Sequence, residues 1–320
     1  MSGLRVFTVC FLGRVYVNVK NNFRMNMKIG YPCINRTIGC TANSTFRLAN
    51  YSQEKLIETV DNNLACLQKI LEYNVAHDLL FFRISSDIIP FASHPVCRFE
   101  WRNYFTPKFY EIGNYIKKHK FRISMHPDQF ILLNAKDTNI VKKSIAELIY
   151  QCDLLDLMEL DQTAKVQIHV GGVYGDKASA IARFIKVYNT LPQNVQKRLV
   201  IEHDDHRFSL QDCLQIYEKI KIPVVFDTLH YECFNAGEPV REALLLAAKT
   251  WNKNDGPLMV DYSEQEKGKR KGTHAQTIDV RHFEKFLHDV NFDDLKKQGL
   301  DCDIMLEIKD KEKSALKARS

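Results

Sequence analysis

Eight short runs of β-branched and aromatic residues, separated by longer stretches of helical period, constrain this chain more than any other feature. They fall at residues 28–31, 79–84, 121–125, 165–170, 198–202, 222–227, 257–261 and 303–307. Short apolar runs set among amphipathic segments are what repeated βα units around a parallel sheet look like in sequence. Between the first two runs, residues 52–77 open on Ser52 as N-cap and carry Leu64, Leu67, Ile70 and Leu71 on one face. Further helices are expected near 107–118, 140–158, 177–190, 209–220, 239–250 and 279–290, with Pro107, Ser209 and Pro239 at their starts. No Pro/Gly/Ser linker and no repeat interrupts the series, so the expected fold is α/β, a single closed (β/α)8 TIM barrel. An open doubly wound sheet is the alternative. Against it, no G-x-G-x-x-G follows the first run, and Gly171-Gly172 alone is too little to hold a dinucleotide.

In a barrel the active site is assembled at the carboxyl-terminal rim of the strands, so what ends each run matters. The third run leads into His126, the fourth into His169 and the fifth into Glu202. The sixth ends at Asp227 with His230 three residues on, the seventh at Asp261 and the eighth at Glu307, while His94 and His274 follow in loops. A lone strand-end histidine is most often a hydrogen-bonded structural residue. Six consecutive strands closing on His, His, Glu, Asp, Asp and Glu are different, because crowding unpaired carboxylates costs several kcal/mol each unless cations neutralise them. Mixed imidazole and carboxylate donors without clustered thiolates suit Mn²⁺, Zn²⁺, Fe²⁺ or Mg²⁺. His77, His119, His282 and His288 fall on or beside helices and are expected at the surface. His203 and His206 flank an acidic pair in the loop after Glu202, and Cys33 and Cys233 near the rim are expected to pack.

The net charge of +6 invites a nucleic-acid partner, yet residues 1–28 carry five basic and no acidic side chains and residues 309–320 five basic and two acidic, leaving the body at −2. A polyanion site must therefore come from a local cluster. Nine cysteines, an odd number without a C-x-x-C pair, predict no disulfide framework and an intracellular, reducing compartment, cytoplasm or nucleus. Residues 1–24 are basic and acid-free, as organelle transit peptides are, but residues 1–26 are expected to be an extension outside the fold. The domain then spans 27–312, followed by a basic tail at 313–320. No apolar run approaches the roughly 18 residues that a membrane span needs.

Seven motifs in order carry a resemblance to a known family. They are Ile-Gly-Tyr-Pro-Cys (29–33), Pro-Phe-Ala-Ser-His-Pro (90–95), Ser-Met-His-Pro-Asp-Gln-Phe (124–130), His-Val-Gly-Gly-Val-Tyr-Gly (169–175), Val-Val-Phe-Asp-Thr-Leu-His (224–230), Gly-Thr-His-Ala (272–275) and Met-Leu-Glu-Ile-Lys (305–309). Over residues 27 to about 312 the chain resembles the UV damage endonucleases of the UvdE/UvsE family. The resemblance implies a TIM barrel that nicks DNA 5′ to UV photoproducts, pyrimidine dimers and 6-4 photoproducts, with up to three divalent ions, usually described as manganese. It places metal ligands at His94, His126, His169, Glu202, Asp227, His230, Asp261, His274 and Glu307, and with the strand-end set it puts catalysis on Glu202, His230 and Glu307. It also implies a lesion-probing pair at Gln129 and Phe130 and groove-lining residues at Tyr31 and Asn35. Four positions depart from the family's pattern: Phe130 stands for a common Tyr, Asp128 for Gly, His203 for Asn, and Met259 for a lysine that some members carry carboxylated.

Metal-activated water attack on phosphorus needs no side-chain nucleophile. Three dications against four ionised carboxylates leave +2 to draw in a phosphodiester. Lys267, Lys269, Arg270 and Lys271, just before His274, are the local basic cluster that the charge distribution requires. Linked, poorly stacked bases cost less to extrude than intact ones, which gives selectivity. The expected partner is double-stranded DNA bearing UV lesions, with no nucleotide cofactor and no membrane, bound by a monomer. An apurinic endonuclease or a sugar isomerase on the same barrel is the nearest alternative, since fold alone does not separate them. A non-catalytic damaged-DNA-binding module would need a broken ligand set.

Overall fold

The computed structural model describes residues 27–320, and the expected extension at 1–26 lies outside the described residues. Eight strands form the barrel: β1 (Ile29–Pro32), β2 (Phe81–Ile84), β3 (Arg122–Met125), β4 (Lys165–His169), β5 (Leu199–Glu202), β6 (Val224–Asp227), β7 (Leu258–Tyr262) and β8 (Cys302–Leu306). All pair in parallel with their sequence neighbours, and β1 closes on β8 through Ile29 opposite Ile304. The single closed barrel expected from the alternating runs is what the chain forms.

Helices cover the outside, and several start where a side chain satisfies a free amide of the first turn. Ser52 accepts from the Lys55 amide ahead of helix Gln53–Ala76, and Ser209 with Asp212 makes a full capping box on helix Leu210–Ile220. Pro107 does not start its helix. That helix runs Trp101–Lys118 with Pro107 in its second turn, because Trp101, Phe105 and Phe109 share one buried face whose packing outweighs the lost hydrogen bond.

Two other expectations are corrected. The residues read as a basic tail lie in helix Glu312–Arg319, which packs on β1 with Ala315 and Ala318 buried, Lys313 and Lys317 exposed, and Glu312 buried where it accepts from the Arg36 amide and the Thr37 hydroxyl. Cys40 and Cys66 form a disulfide, where sequence spacing suggested none. The cause is a loop that folds back along helix Gln53–Ala76. Ser44 and Asn63 exchange hydrogen bonds there, at 2.9 and 3.0 Å, and Cys40 comes to rest on Cys66. The glycine pair has a local reason as well: Gly171 has φ +112°, and a Cβ there would sit 2.4 Å from the Asn134 side chain that bonds the Gly172 backbone.

Strand alternation sorts the barrel interior into layers. Deepest, at the amino-terminal end, lie Arg122, Lys165 and Asp303, with Asp255 beside them, all buried. Above them Phe81, Val200, Val225, Met259 and Met305 form an apolar plug. Two residues further along the same strands stand Arg83, Glu202, Asp227, Asp261 and Glu307, so the plug is the floor of the candidate site.

Candidate metal centre

Every strand-end candidate sits two residues beyond an interior residue of its own strand: His126 beyond Ser124, His169 beyond Gln167, Glu202 beyond Val200 and Glu307 beyond Met305. The two-residue period aims all of them inward. Three sets of side chains result, each with donor atoms within 4.8 Å of one another: His126, His169 and Glu202; Glu202, Asp227 and His230; Asp227, Asp261 and Glu307. Glu202 belongs to the first two sets and Asp227 to the last two.

The hydrogen bonds fix which ring nitrogens face the cleft. Nδ1 of His126 donates to the Pro127 carbonyl (3.1 Å) and that of His274 to the Glu307 carbonyl (2.8 Å), whereas Nδ1 of His230 lies between the His203 carbonyl (3.0 Å) and Glu202 Oε1 (2.8 Å) and itself faces the carboxylates. A neutral imidazole that donates through Nδ1 keeps its lone pair on Nε2, the arrangement typical of metal-bound histidine. His126 Nε2 lies 3.3 Å from Glu202 Oε2, and His169 Nε2 lies 3.6 Å from the same oxygen. His126 and His169 thus bring two ring nitrogens to one carboxylate oxygen, an arrangement that a shared cation would complete. Buried Asp227 Oδ2 and His169 Nδ1 have no hydrogen-bond partner. With no thiolate in any of the three sets, the donors suit a divalent ion of intermediate or hard character.

Charge at the rim is correspondingly displaced. Burial, reinforced by Glu202, Glu307 and Asp261 and opposed by His230, pushes the Asp227 carboxyl up to about 7. Burial also raises Asp261 to about 7, against the pull of Arg83. Although burial works the other way, His169 and His230 hold Glu202 well below the usual carboxylate range. Burial opposes protonation of His230, but Asp227 and Glu202 overcome it and raise the imidazole to about 11. Without a bound ion, the proton on His230 offsets the carboxylates together with the Arg83 guanidinium.

Not every expected residue joins the centre. His94 is exposed on the loop after β2, its Nδ1 accepting from the Val96 amide at 3.1 Å, and it belongs to none of the three sets. His274 lies beside Glu307, with Nδ1 3.8 Å from Oε2. Tyr31 and Asn35 do not line a groove. Both are buried, Tyr31 donating to Asn74 (2.6 Å) and accepting from Asn35 (2.8 Å), because Tyr31 is on the outward side of β1, beneath helix Gln53–Ala76.

The rim above the site carries the other expected features. Phe130 is 69% exposed beside exposed Gln129. Lys267, Lys269, Arg270 and Lys271 are exposed on a loop closed by the antiparallel bridge between Gln265 and His274, although Lys271 donates to the Cys233 carbonyl at 2.7 Å. Two residues escaped the sequence reading. Buried Arg83 bonds Asp261, Glu307 and Gln167, and Gln167 donates to Glu202 (2.6 Å) and Asp261 (2.5 Å). Both are inward-facing polar residues inside strands, a signal that strand parity carries and strand ends do not. His203 is a support as well: its Nε2 accepts from the Asp227 amide at 3.1 Å, and burial lowers its pKa to about 3.

Comparison with known proteins identifies the family. Residues 17–319 match the family model described as UV-endonuclease UvdE, a match that begins ahead of the expected domain start at 27. A UV DNA damage endonuclease of Clostridium perfringens (strain 13 / Type A) is 41% identical over 293 residues, covering 91% of this chain and 69% of that protein. The crystal structure of SacUVDE superposes with a TM-score of 0.86 at 45% identity, covering 92% of this chain and 96% of that one. A 3-keto-D-glucoside 4-epimerase from E. coli superposes with a TM-score of 0.51 at 9% identity, which shows the shared barrel and no more. The chain belongs to the UV-endonuclease UvdE family, whose members act in DNA repair.

Proposed function

We propose that the chain is a metal-dependent endodeoxyribonuclease that nicks duplex DNA on the 5′ side of UV photoproducts. The convergence of His126 Nε2 and His169 Nε2 on one oxygen of Glu202 carries this reading, because it offers a cation three donors within 4.8 Å of one another. Donors for divalent ions come from His126, His169, Glu202, Asp227, His230, His274 and Glu307, with Mn²⁺ the first candidate and Zn²⁺ or Mg²⁺ the alternatives. When bound, such ions lower the pKa of water and offset charge growing on a phosphodiester.

The chain's own residues do the rest. The Pro127 and Glu307 carbonyls occupy Nδ1 of His126 and His274, leaving Nε2 of each free, and the His203 carbonyl steadies His230 beside Glu202. The apolar plug of Phe81, Val200, Val225, Met259 and Met305 keeps water from entering below. Lys267, Lys269 and Arg270 grip phosphates from the rim, while Gln129 and the exposed ring of Phe130 wedge beside unstacked bases. The substrate is DNA bearing pyrimidine dimers or 6-4 photoproducts, and the chain acts as a monomer.

A strand-nicking assay on irradiated duplex, with and without EDTA, tests this directly. Nicking 5′ to dimers that EDTA abolishes is the expected result. Cutting of abasic DNA with none at dimers, or full nicking in EDTA, would replace the reading.

A further inference from the structure

We propose that Asp261 takes no ion but serves as the counter-ion of Arg83, the pair acting with Gln167 as a buried clamp that positions Glu202 and Glu307. The inference rests on the reading that the rim holds divalent cations. It departs from the simple expectation that all four rim carboxylates are ligands.

Arg83 enters the barrel from β2 and is 3% exposed. Its Nη2 meets both oxygens of Asp261 at 2.9 Å, and its Nη1 bonds Oε1 of Glu307. The same Nη2 donates to Gln167 Oε1 at 3.0 Å. Gln167 Nε2 in turn donates to Asp261 Oδ2 at 2.5 Å and to Glu202 Oε2 at 2.6 Å. Oδ2 of Asp261 thus accepts from two donors and Oδ1 from one. A guanidinium held against a carboxylate in this way makes charge-assisted hydrogen bonds, roughly twice as strong as those between neutral groups.

Asp227 is the contrast at the same depth. It belongs to the same set of three carboxylates and is equally buried, yet its Oδ2 has no partner. One carboxylate is open and the other is filled. An ion placed among Asp227, Asp261 and Glu307 would lie against a guanidinium already bonded to two of the three, and like charges at such range repel strongly. Charge agrees: Arg83 pairs with two of the rim's four carboxylates, so part of the neutralisation is built into the fold. Two residues below Asp261, Met259 lies in the apolar plug and offers no oxygen donor.

What Asp261 and Arg83 do is therefore positioning. Pinned between β2, β4 and β7, they fix Glu307 directly and Glu202 through Gln167, which keeps Glu202 where His126, His169 and His230 reach it.

Manganese content of the full-length chain, measured by mass spectrometry after desalting from saturating Mn²⁺ and by electron paramagnetic resonance titration, tests the assignment. Asp261→Ala should keep the wild-type number of ions at saturation, with affinity weakened by about ten- to a hundredfold. Asp227→Ala should lose at least one ion. Loss of an ion in Asp261→Ala would overturn the proposal. Removing one partner of a buried pair often unfolds a protein, so the double variant Arg83→Met/Asp261→Ala is measured too. In EDTA the double variant should melt above Arg83→Met alone; strictly additive losses would overturn the pairing. That cycle needs no metal, so a wild-type chain that binds no ion would contradict the functional reading while the clamp is still decided.

Discussion

The barrel has two buried polar layers, separated by the apolar plug, and they differ in one respect. At the bottom, Arg122 and Lys165 face Asp255 and Asp303, two cations with two carboxylates, and Lys165 bonds Asp255 at 2.5 Å and the Lys197 carbonyl at 2.9 Å. At the rim, Arg83 alone stands among Glu202, Asp227, Asp261 and Glu307, with imidazoles around them. The lower layer closes its own charge balance and so belongs to the fold. The upper layer has more carboxylates than cations and eases the surplus by raising Asp227 and Asp261 to about 7 and His230 to about 11, the displaced titration found at sites built to take a charged partner.

Breaking each layer should have opposite consequences, and the largest effect is expected at the rim. Glu202→Gln removes the charge shared by three imidazoles and should lower nicking of irradiated duplex by more than about a hundredfold, with the far-ultraviolet circular dichroism unchanged. In the lower layer, Lys165→Met leaves Asp255 without its ammonium and should cost about 3–5 kcal/mol in urea unfolding, while the folded fraction nicks at the wild-type rate.

Titration separates the layers further. His230 has a folded pKa near 11 against 6.5 unfolded, so its contribution to stability is complete below pH 6.5 and is lost as pH rises toward 11. In EDTA the chain should therefore lose up to about 1.4 kcal/mol of stability per pH unit between pH 7 and 9. In saturating Mn²⁺ the trend should reverse, because ion binding displaces protons and strengthens with pH. Urea unfolding at three pH values reads both slopes, and a falling slope in both conditions would deny the ions a role.

The smallest effects belong to the rim above the ligands. Phe130→Ala should reduce the preference for irradiated over intact duplex by about tenfold and leave stability within about 0.5 kcal/mol. Replacing Lys267, Lys269 and Arg270 with alanine should flatten the dependence of log affinity on log salt by about 0.9 for each phosphate that the loop no longer neutralises.

Much of this was readable from the chain. Strand parity is a local property, so the eight runs, the inward aim of His126, His169, Glu202, Asp227 and Glu307, and the caps at Ser52 and Ser209 all follow from short-range pattern. What the sequence hid depends on segments far apart in the chain coming together. Arg83 reads as an ordinary charged strand residue until β2 and β7 face each other across the barrel. Tyr31 reads as a rim residue until its parity places it under helix Gln53–Ala76. The Cys40–Cys66 bond depends on a loop returning along that helix, which no spacing rule contains.

The central claim is that the rim's surplus of carboxylate exists to hold divalent cations. Calorimetric titration of Mn²⁺ into EDTA-stripped protein, in two buffers of different ionisation enthalpy, tests it most directly. Saturable binding with proton release in the wild-type chain, abolished in Glu202→Gln, is the predicted result. No uptake, or uptake that Glu202→Gln leaves unchanged, would contradict it.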